Sequence, residues 1–291
     1  MHQYLRAVGF SDIRTKKQLK ALMNDVITNP TQKDYIESEE NSIMVEYSKN
    51  YSTSCGITLR GEYDENEQLT LDFYYPYAVP QSVATTQDAS FERHADKESF
   101  LGVCDDVRIG VSLIYYVQNG MYLMKQNRDD DWDRSKISMS FAALSLGGTI
   151  MFPIKKDPKV MARHEKASAA RNKRIIAAKN GDEEAIEQLT LEDIDTYSAI
   201  SRRILKDDIF TLVDTYFMPY GAECDHYSIM AEIEDYRLET NYLTGEEIYL
   251  FELNCNNMPI TVCVNRKDVL GEPEIGRRFR GNIWLQGQIS V

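Results

Sequence analysis

Lys155–Asp195 reads KKDPKVMARHEKASAARNKRIIAAKNGDEEAIEQLTLEDID, and its charge is split in two. Residues 155–179 hold nine Lys/Arg (Lys155, Lys156, Lys159, Arg163, Lys166, Arg171, Lys173, Arg174, Lys179) against Asp157 and Glu165, a net of +7. Residues 182–195 hold Asp182, Glu183, Glu184, Glu187, Glu192, Asp193 and Asp195 and no basic residue, a net of −7. Ala162, Ala167, Ala169, Ala170, Ala177 and Ala178 alternate with Lys and Arg, all strong helix formers. Asp157-Pro158 suits an N-cap and first helical position, and Asn180-Gly181 suits a stop. The spacing predicts one basic helix of about 21 residues, roughly 30 Å long. A second capped start is expected at Thr190 and Asp193, before the stripe Ile194, Tyr197, Ile200, Ile204, Leu205. Folded back on each other, the two arms neutralise their charge.

Both flanks of this block read as β-structure. On the N-terminal side, Thr15 and Gln18 form a capping-box pattern ahead of Leu19, Leu22, Met23 and Val26, and Asn29-Pro30 ends that helix. Strands are expected at 42–48, 55–62 and 68–79, the last two joined by Asp64-Glu65-Asn66. Residues 81–99 read as a loop or short helix. A hairpin is expected across Asn119-Gly120, between Arg108–Gln118 and Met121–Gln126. The uncharged run Ile137–Ile154 suggests a buried strand, a break at Gly147-Gly148 and a second strand. Its serines, threonine and Pro153 argue against a membrane span. On the C-terminal side, Asp207–Met218 suits a helix or the entry to a strand, and strands are expected at 226–238, 247–255, 259–265 and 281–290.

Composition sets the class. The 291 residues carry a formal charge of −13, eighteen Tyr, ten Phe and only eight Pro. Aromatics suit pleated surfaces, and an acidic chain lacks the basic face that phosphate backbones require, so nucleic acid is not the expected partner. Cys55, Cys104, Cys224, Cys255 and Cys263 are odd in number, without a CxxC pair, which fits free thiols in the cytoplasm. MHQYLRAVGF has no apolar core of a secretion signal.

Five stretches carry a resemblance: MHQYLRAVGFSDIRT (Met1–Thr15), CDDVRIGVSLIYYVQN (Cys104–Asn119), LSLGGTIMFPIKK (Leu144–Lys156), FMPYGAECDHYS (Phe217–Ser228) and RFRGNIWLQG (Arg278–Gly287). Together they resemble a family of cytosolic proteins from anaerobic Gram-positive bacteria, a domain of unknown function. The resemblance spans essentially the whole chain. It implies no activity, substrate or catalytic residue.

Few residues suggest chemistry. Cys224 and His226, with Cys255 and Cys263 on a neighbouring hairpin, supply ligand types that zinc accepts, but structural zinc favours CxxC knuckles and none is present. Four carboxylates crowd Asp129–Asp133 without an EF-hand frame, so a solvated loop is expected. Gly147-Gly148 lacks a phosphate-loop frame. His94 and His164 read as surface residues. Neither a metal nor a cofactor is expected. Arg277, Arg278 and Arg280 interleave with Phe279 and Trp284, as in barrels that bind single strands. The simpler reading puts Ile283, Leu285 and Ile289 inside a barrel and Trp284 on its other face, where a ligand would be sought.

The sequence thus predicts an α+β protein with two β-rich antiparallel lobes, 1–154 and 208–291, joined by the charged helical segment 155–207. The C-terminal lobe is expected to be a small barrel or curled sheet. The leading function is a cytoplasmic binding or adaptor protein without catalysis, whose partner is a protein or small ligand. One alternative is an enzyme on a small anionic or nucleotide-like ligand between the lobes, using Arg108, His226 or the 129–133 carboxylates. Another is an RNA-associated factor using the basic helix with Arg277, Arg278, Arg280 and Trp284. Arg163, Arg171, Lys173 and Arg174 are the candidates for docking an acidic partner.

Overall fold

A computed structural model describes residues 1–37, 43–85, 89–93, 100–106, 108–109, 111–127, 137–153, 167, 170–171, 173–178, 180–204 and 213–290. Gln3–Val8 forms a 3-10 helix, followed by α1 (Lys16–Thr28). The capping box holds: the Gln18 N–H donates to Thr15 Oγ1, and the Gln18 side chain accepts from the Thr15 N–H. Leu22, Met23 and Val26 are buried as the stripe requires. Strands β1 (Gln32–Glu37), β2 (Ile43–Asn50), β3 (Cys55–Tyr63) and β4 (Leu69–Ala78) pair in sequence order as an antiparallel sheet. Only β1 lacked a sequence signal, because QKDYIE is mostly polar and exposed.

The remaining strands build a second, mixed sheet. They are β5 (Ala89–Arg93), β6 (Phe100–Asp106), β7 (Val111–Val117), β8 (Ser138–Met151), β9 (Tyr216–Pro219), β10 (His226–Thr240), β11 (Glu247–Cys255), β12 (Met258–Asn265), β13 (Val269–Leu270) and β14 (Arg278–Ser290). Strand β8 pairs with β12 on one edge and β14 on the other, and β10 joins β14 to β11. The ring β8-β12-β11-β10-β14 therefore closes. Its β8–β12 contact is parallel and the others are antiparallel. Closure removes exposed strand edges. Strands β7, β6 and β5 extend the sheet outward from the far end of β14.

Successive side chains on a strand point to opposite faces, and here both faces are buried. Phe141, Phe251, Val262, Phe279 and Leu285 fill the ring's interior. Leu144, Leu250, Cys263 and Trp284, on the same strands, pack outward against the 3-10 helix, α1 and the β1–β4 sheet. This two-sided burial explains why TVCVN and SFAALSL show no polar alternation.

The expected lobe boundaries do not coincide with the sheets. β8 lies in 1–154, yet it pairs with β14 from Ser138 to Met151. An uncharged strand needs partners on both edges and apolar cover on both faces, and the C-terminal strands supply the edges. Other expectations also change. Ser138–Met151 is one strand, not two. Its glycines admit a neighbour, since a Cβ on Gly148 would sit 2.2 Å from the Phe279 ring. No hairpin forms at Asn119-Gly120, because Gly120–Asn127 is a helix, α2. Asn119 instead brackets Ile289, donating to its O (2.7 Å) and accepting from its N–H (3.1 Å), while Met121 and Leu123 are buried. Within 81–99, Ala89–Arg93 is a strand paired to β6.

Within the charged block, the expected helix start at Asp157-Pro158 lies outside the described residues. Described residues of 170–178 are helical, Gly181 turns at φ 89°, and α3 runs Glu183–Ile204. Its cap is Asp182, whose carboxylate accepts from the Ala185 N–H, so Thr190 lies inside the helix and bonds back to Ile186 O. Arg171 reaches Asp193 at 2.7 Å, and Arg174 pairs with Glu192. At the root of this excursion, Arg278 donates from Nε to Phe152 O (3.1 Å) and from Nη1 to Val213 O (2.8 Å). One guanidinium thus clasps the segment's two ends. Among the described residues, no helix is long and apolar enough to cross a membrane.

Candidate functional site

Antiparallel pairing of β10 and β14 sets His226 directly opposite Trp284. Asp225, one residue before β10 begins, bridges them. Its Oδ1 lies 2.8 Å from His226 Nδ1, and its Oδ2 accepts from Trp284 Nε1 at 2.7 Å. A carboxylate on Nδ1 fixes the imidazole's orientation and leaves Nε2 for another partner.

The N-terminus completes this corner. The 3-10 helix is stapled to the barrel by Arg6, which makes two bonds to Asp268 (2.5 and 2.7 Å), and by Asn241, which donates to Val8 O at 2.8 Å. Gly9 ends the helix at φ 86°. That geometry lays His2 and Tyr4 over Trp284, with ring centroids 4.9 and 5.4 Å away. Tyr116 approaches the indole at 5.4 Å, and Tyr4 lies 5.7 Å from His226. Trp284 therefore faces outward from the ring, as its strand position predicts, but it is only 5% exposed. The accessible part of the corner is the His226 edge, beside half-exposed Tyr220.

Burial dominates the electrostatics. It lowers the His2 imidazole to about 4, and the nearby His226 adds to the effect while Asp225 opposes it. His2 Nδ1 is buried without a hydrogen-bond partner among the described residues. Burial, with Asp225 adding, pushes the Tyr4 hydroxyl well up.

His226 and Trp284 are thus brought together, whereas the other sequence candidates go elsewhere. Arg108 braces Asp106 (2.9 Å from Nε) and donates to Asn257 O and Ala84 O, both at 2.7 Å. Arg277 pairs with Glu274, and Arg280 donates to the Tyr216 hydroxyl. Arg278 is buried in the clasp, where desolvation lowers its guanidinium from the ordinary value. These three arginines do not form one phosphate-binding row. Cys255 faces the ring interior, Cys263 faces outward under Ala7 O, and Cys224 is exposed, so the conceivable zinc set is not assembled. Among the described residues, no group of His, Cys, Asp and Glu is placed to hold a metal. Arg171 and Arg174 are engaged within the hairpin, and Lys173 is exposed. Arg163 and the 129–133 carboxylates lie outside the described residues, as do His94 and His164.

Sequence reasoning missed Asp225, His2 and Tyr4. No local spacing links Met1–Tyr4 to Trp284. The usable signal was Asp225 beside His226 at a strand start. A second buried polar pair, Glu46 with Arg60, was also missed. Its guanidinium packs against Phe100 (4.8 Å) and Phe73 (5.3 Å) and is already matched in charge.

A family profile described as "Domain of unknown function, E. rectale Gene description (DUF3881)" matches residues 5–287. The chain belongs to this family. Neither a curated protein nor a solved structure matches the chain significantly. For a DUF3881 member, the geometry of the Asp225–His226–Trp284 corner is therefore the starting point for function.

Proposed function

We propose that this protein binds a ligand without transforming it, in the cytoplasm, and that the ligand site is the accessible edge of the Asp225–His226–Trp284 corner. The observation that supports this reading is that both Asp225 oxygens are committed, one to His226 and one to Trp284. They fix a single imidazole acceptor against aromatic rings. No hydroxyl or thiol side chain is hydrogen-bonded to that imidazole among the described residues. The thiols of Cys104 and Cys255 are pushed up to about 12, chiefly by burial, which disfavours thiolate chemistry at those sites. A fixed acceptor beside Tyr4 and Tyr220 suits a small molecule with a flat apolar body and a hydrogen-bond donor.

The enzyme reading draws on the same pair, since an Asp-oriented imidazole is also what a general base requires. Mass spectrometry of small molecules released from purified protein separates the two. Binding without catalysis expects a compound that is retained unchanged by the native chain and lost from His226→Ala. A compound consumed on incubation, with turnover abolished in His226→Ala, would replace the binding reading with the enzyme reading.

A further inference from the structure

His2 lies against Trp284 with ring centroids 4.9 Å apart, yet its Nδ1 is buried without a hydrogen-bond partner among the described residues. A buried nitrogen left unpaired weakens the contact that buries it. Packing alone does not call for an imidazole here, since an aliphatic side chain would cover the indole without that penalty. The tether is also slight. The His2 N–H donates to the Tyr74 hydroxyl at 2.8 Å, and the His2 O accepts from the Leu5 N–H at 3.3 Å. The firm anchors of the 3-10 helix come later, at Arg6 on Asp268 and at Val8 O, which accepts from Asn241. Met1 is 63% exposed. A backbone rotation ahead of Gln3 therefore carries the imidazole into water and leaves the helix anchored. The slot it vacates has the Trp284 indole as its floor. Tyr4 and Tyr74, whose rings lie 6.0 and 6.3 Å from that of His2, are its walls.

We infer that His2 stands in for part of the ligand: a neutral aromatic nitrogen heterocycle displaces its imidazole and stacks on Trp284. The inference rests on the ligand reading above, and adds which ring the ligand carries and where that ring lies. The present occupant describes what the slot accepts. It is flat, and it is uncharged at neutral pH, because burial lowers the His2 imidazole to about 4. A second flat ring regains the tilted or offset stacking that aromatic pairs prefer. An N–H on the incoming ring donates to the oriented imidazole of His226, a bond that His2 does not make among the described residues. The exchange thus trades an unpaired buried nitrogen for a paired one, which is what lets a ligand win against a group already in place.

Benzimidazole, titrated into the full chain at neutral pH and read by Trp284 fluorescence in a Trp132→Phe background, tests it. An occupied slot weakens apparent affinity by the fraction of time it is open, so His2→Gly should bind at least about tenfold tighter than its parent. An emptied slot could bind a ring that never displaces His2, so a second variant is needed. Tyr74→Phe keeps the imidazole and the wall and removes only the tether. It should bind roughly two- to fivefold tighter than the parent. Should His2→Gly lose its fold by circular dichroism, Tyr74→Phe decides alone. Equal affinity in the parent and both variants overturns the inference. If that equal binding is lost in His226→Ala, the ligand reading at the His226 edge stands without it. Tightening in both variants that His226→Ala leaves untouched keeps the stacking slot and removes the His226 edge. No binding by any of the chains overturns the inference outright.

Discussion

In the barrel wall, Phe279 and Leu285 are buried inside while Trp284, between them, is buried outside. In the hairpin, twelve consecutive residues of α3 bury one alanine and two arginines of the facing arm supply the cross-links. The two regions show two ways of specifying structure. Where both faces of a strand are covered, nearly every residue carries packing energy and changes are costly. Where charges alone face each other in water, they set orientation and contribute little stability.

The sharpest way to break this comparison is Phe279→Ala. The ring touches Phe251 at 5.3 Å and fills the space Gly148 leaves open. Denaturant unfolding should show a loss of about 3–5 kcal/mol. A loss under about 1 kcal/mol would mean the wall is not the core.

The next largest effect is a pH dependence at the seam between the N-terminus and the wall. Folding holds His2 near 4 against 6.5 in the open chain. As pH falls, the unfolded chain takes the proton first, so stability is full above 6.5, declines between 6.5 and 4, and levels off below. The loss is on the order of 3 kcal/mol, unless the 3-10 helix detaches locally at lower cost. Thermal melts of the wild type and His2→Gln should diverge in acid, the wild type losing stability that the variant, with no imidazole to protonate, keeps. Detachment would appear as a change in Trp284 fluorescence in a Trp132→Phe background.

Trp284→Phe keeps an aromatic ring, though a smaller one, and removes the donor to Asp225. It should cost about 1–3 kcal/mol in denaturant melts. The smallest effect belongs to the hairpin. Glu192→Gln removes the carboxylate that both arginines share, and should change global stability by only about 0.2–1 kcal/mol. A larger loss would show that the hairpin is integrated with the wall.

These contrasts also explain what the sequence made legible. Thr15 acts on Gln18 three residues away and Asn29 on Asp25 four residues away, and their helix was readable. So was the inward set Ile283, Leu285, Ile289, because period-two patterning survives in β14. The charge split announced the hairpin, and Gly181 its turn. What escaped depends on distant partners. Asn119-Gly120 has hairpin chemistry, but Asn119 is used by Ile289 and the next residues coil into α2. Gly147-Gly148 looked like a break because Phe279, the reason for small residues there, is far away in sequence. The ligand corner joins residues 2 and 4 to 225, 226 and 284. Asp225 and His226 were adjacent, but nothing local revealed that Trp284 would take the carboxylate's second oxygen.

The dual pairing of β8 has a consequence for synthesis. Its uncharged residues 138–151 leave the ribosome well before β14, at 278–290, exists to cover their edge. At about 5–20 residues per second the wait is on the order of ten seconds. Throughout it, an apolar strand template stands open. The segment made immediately afterwards is the most highly charged in the chain, a solubilising neighbour during those seconds. Nascent chains arrested before Arg278 should therefore aggregate more when the Lys and Arg of 155–179 are replaced by Ser. Equal solubility of the two would remove this role and leave the charged block to the finished protein alone.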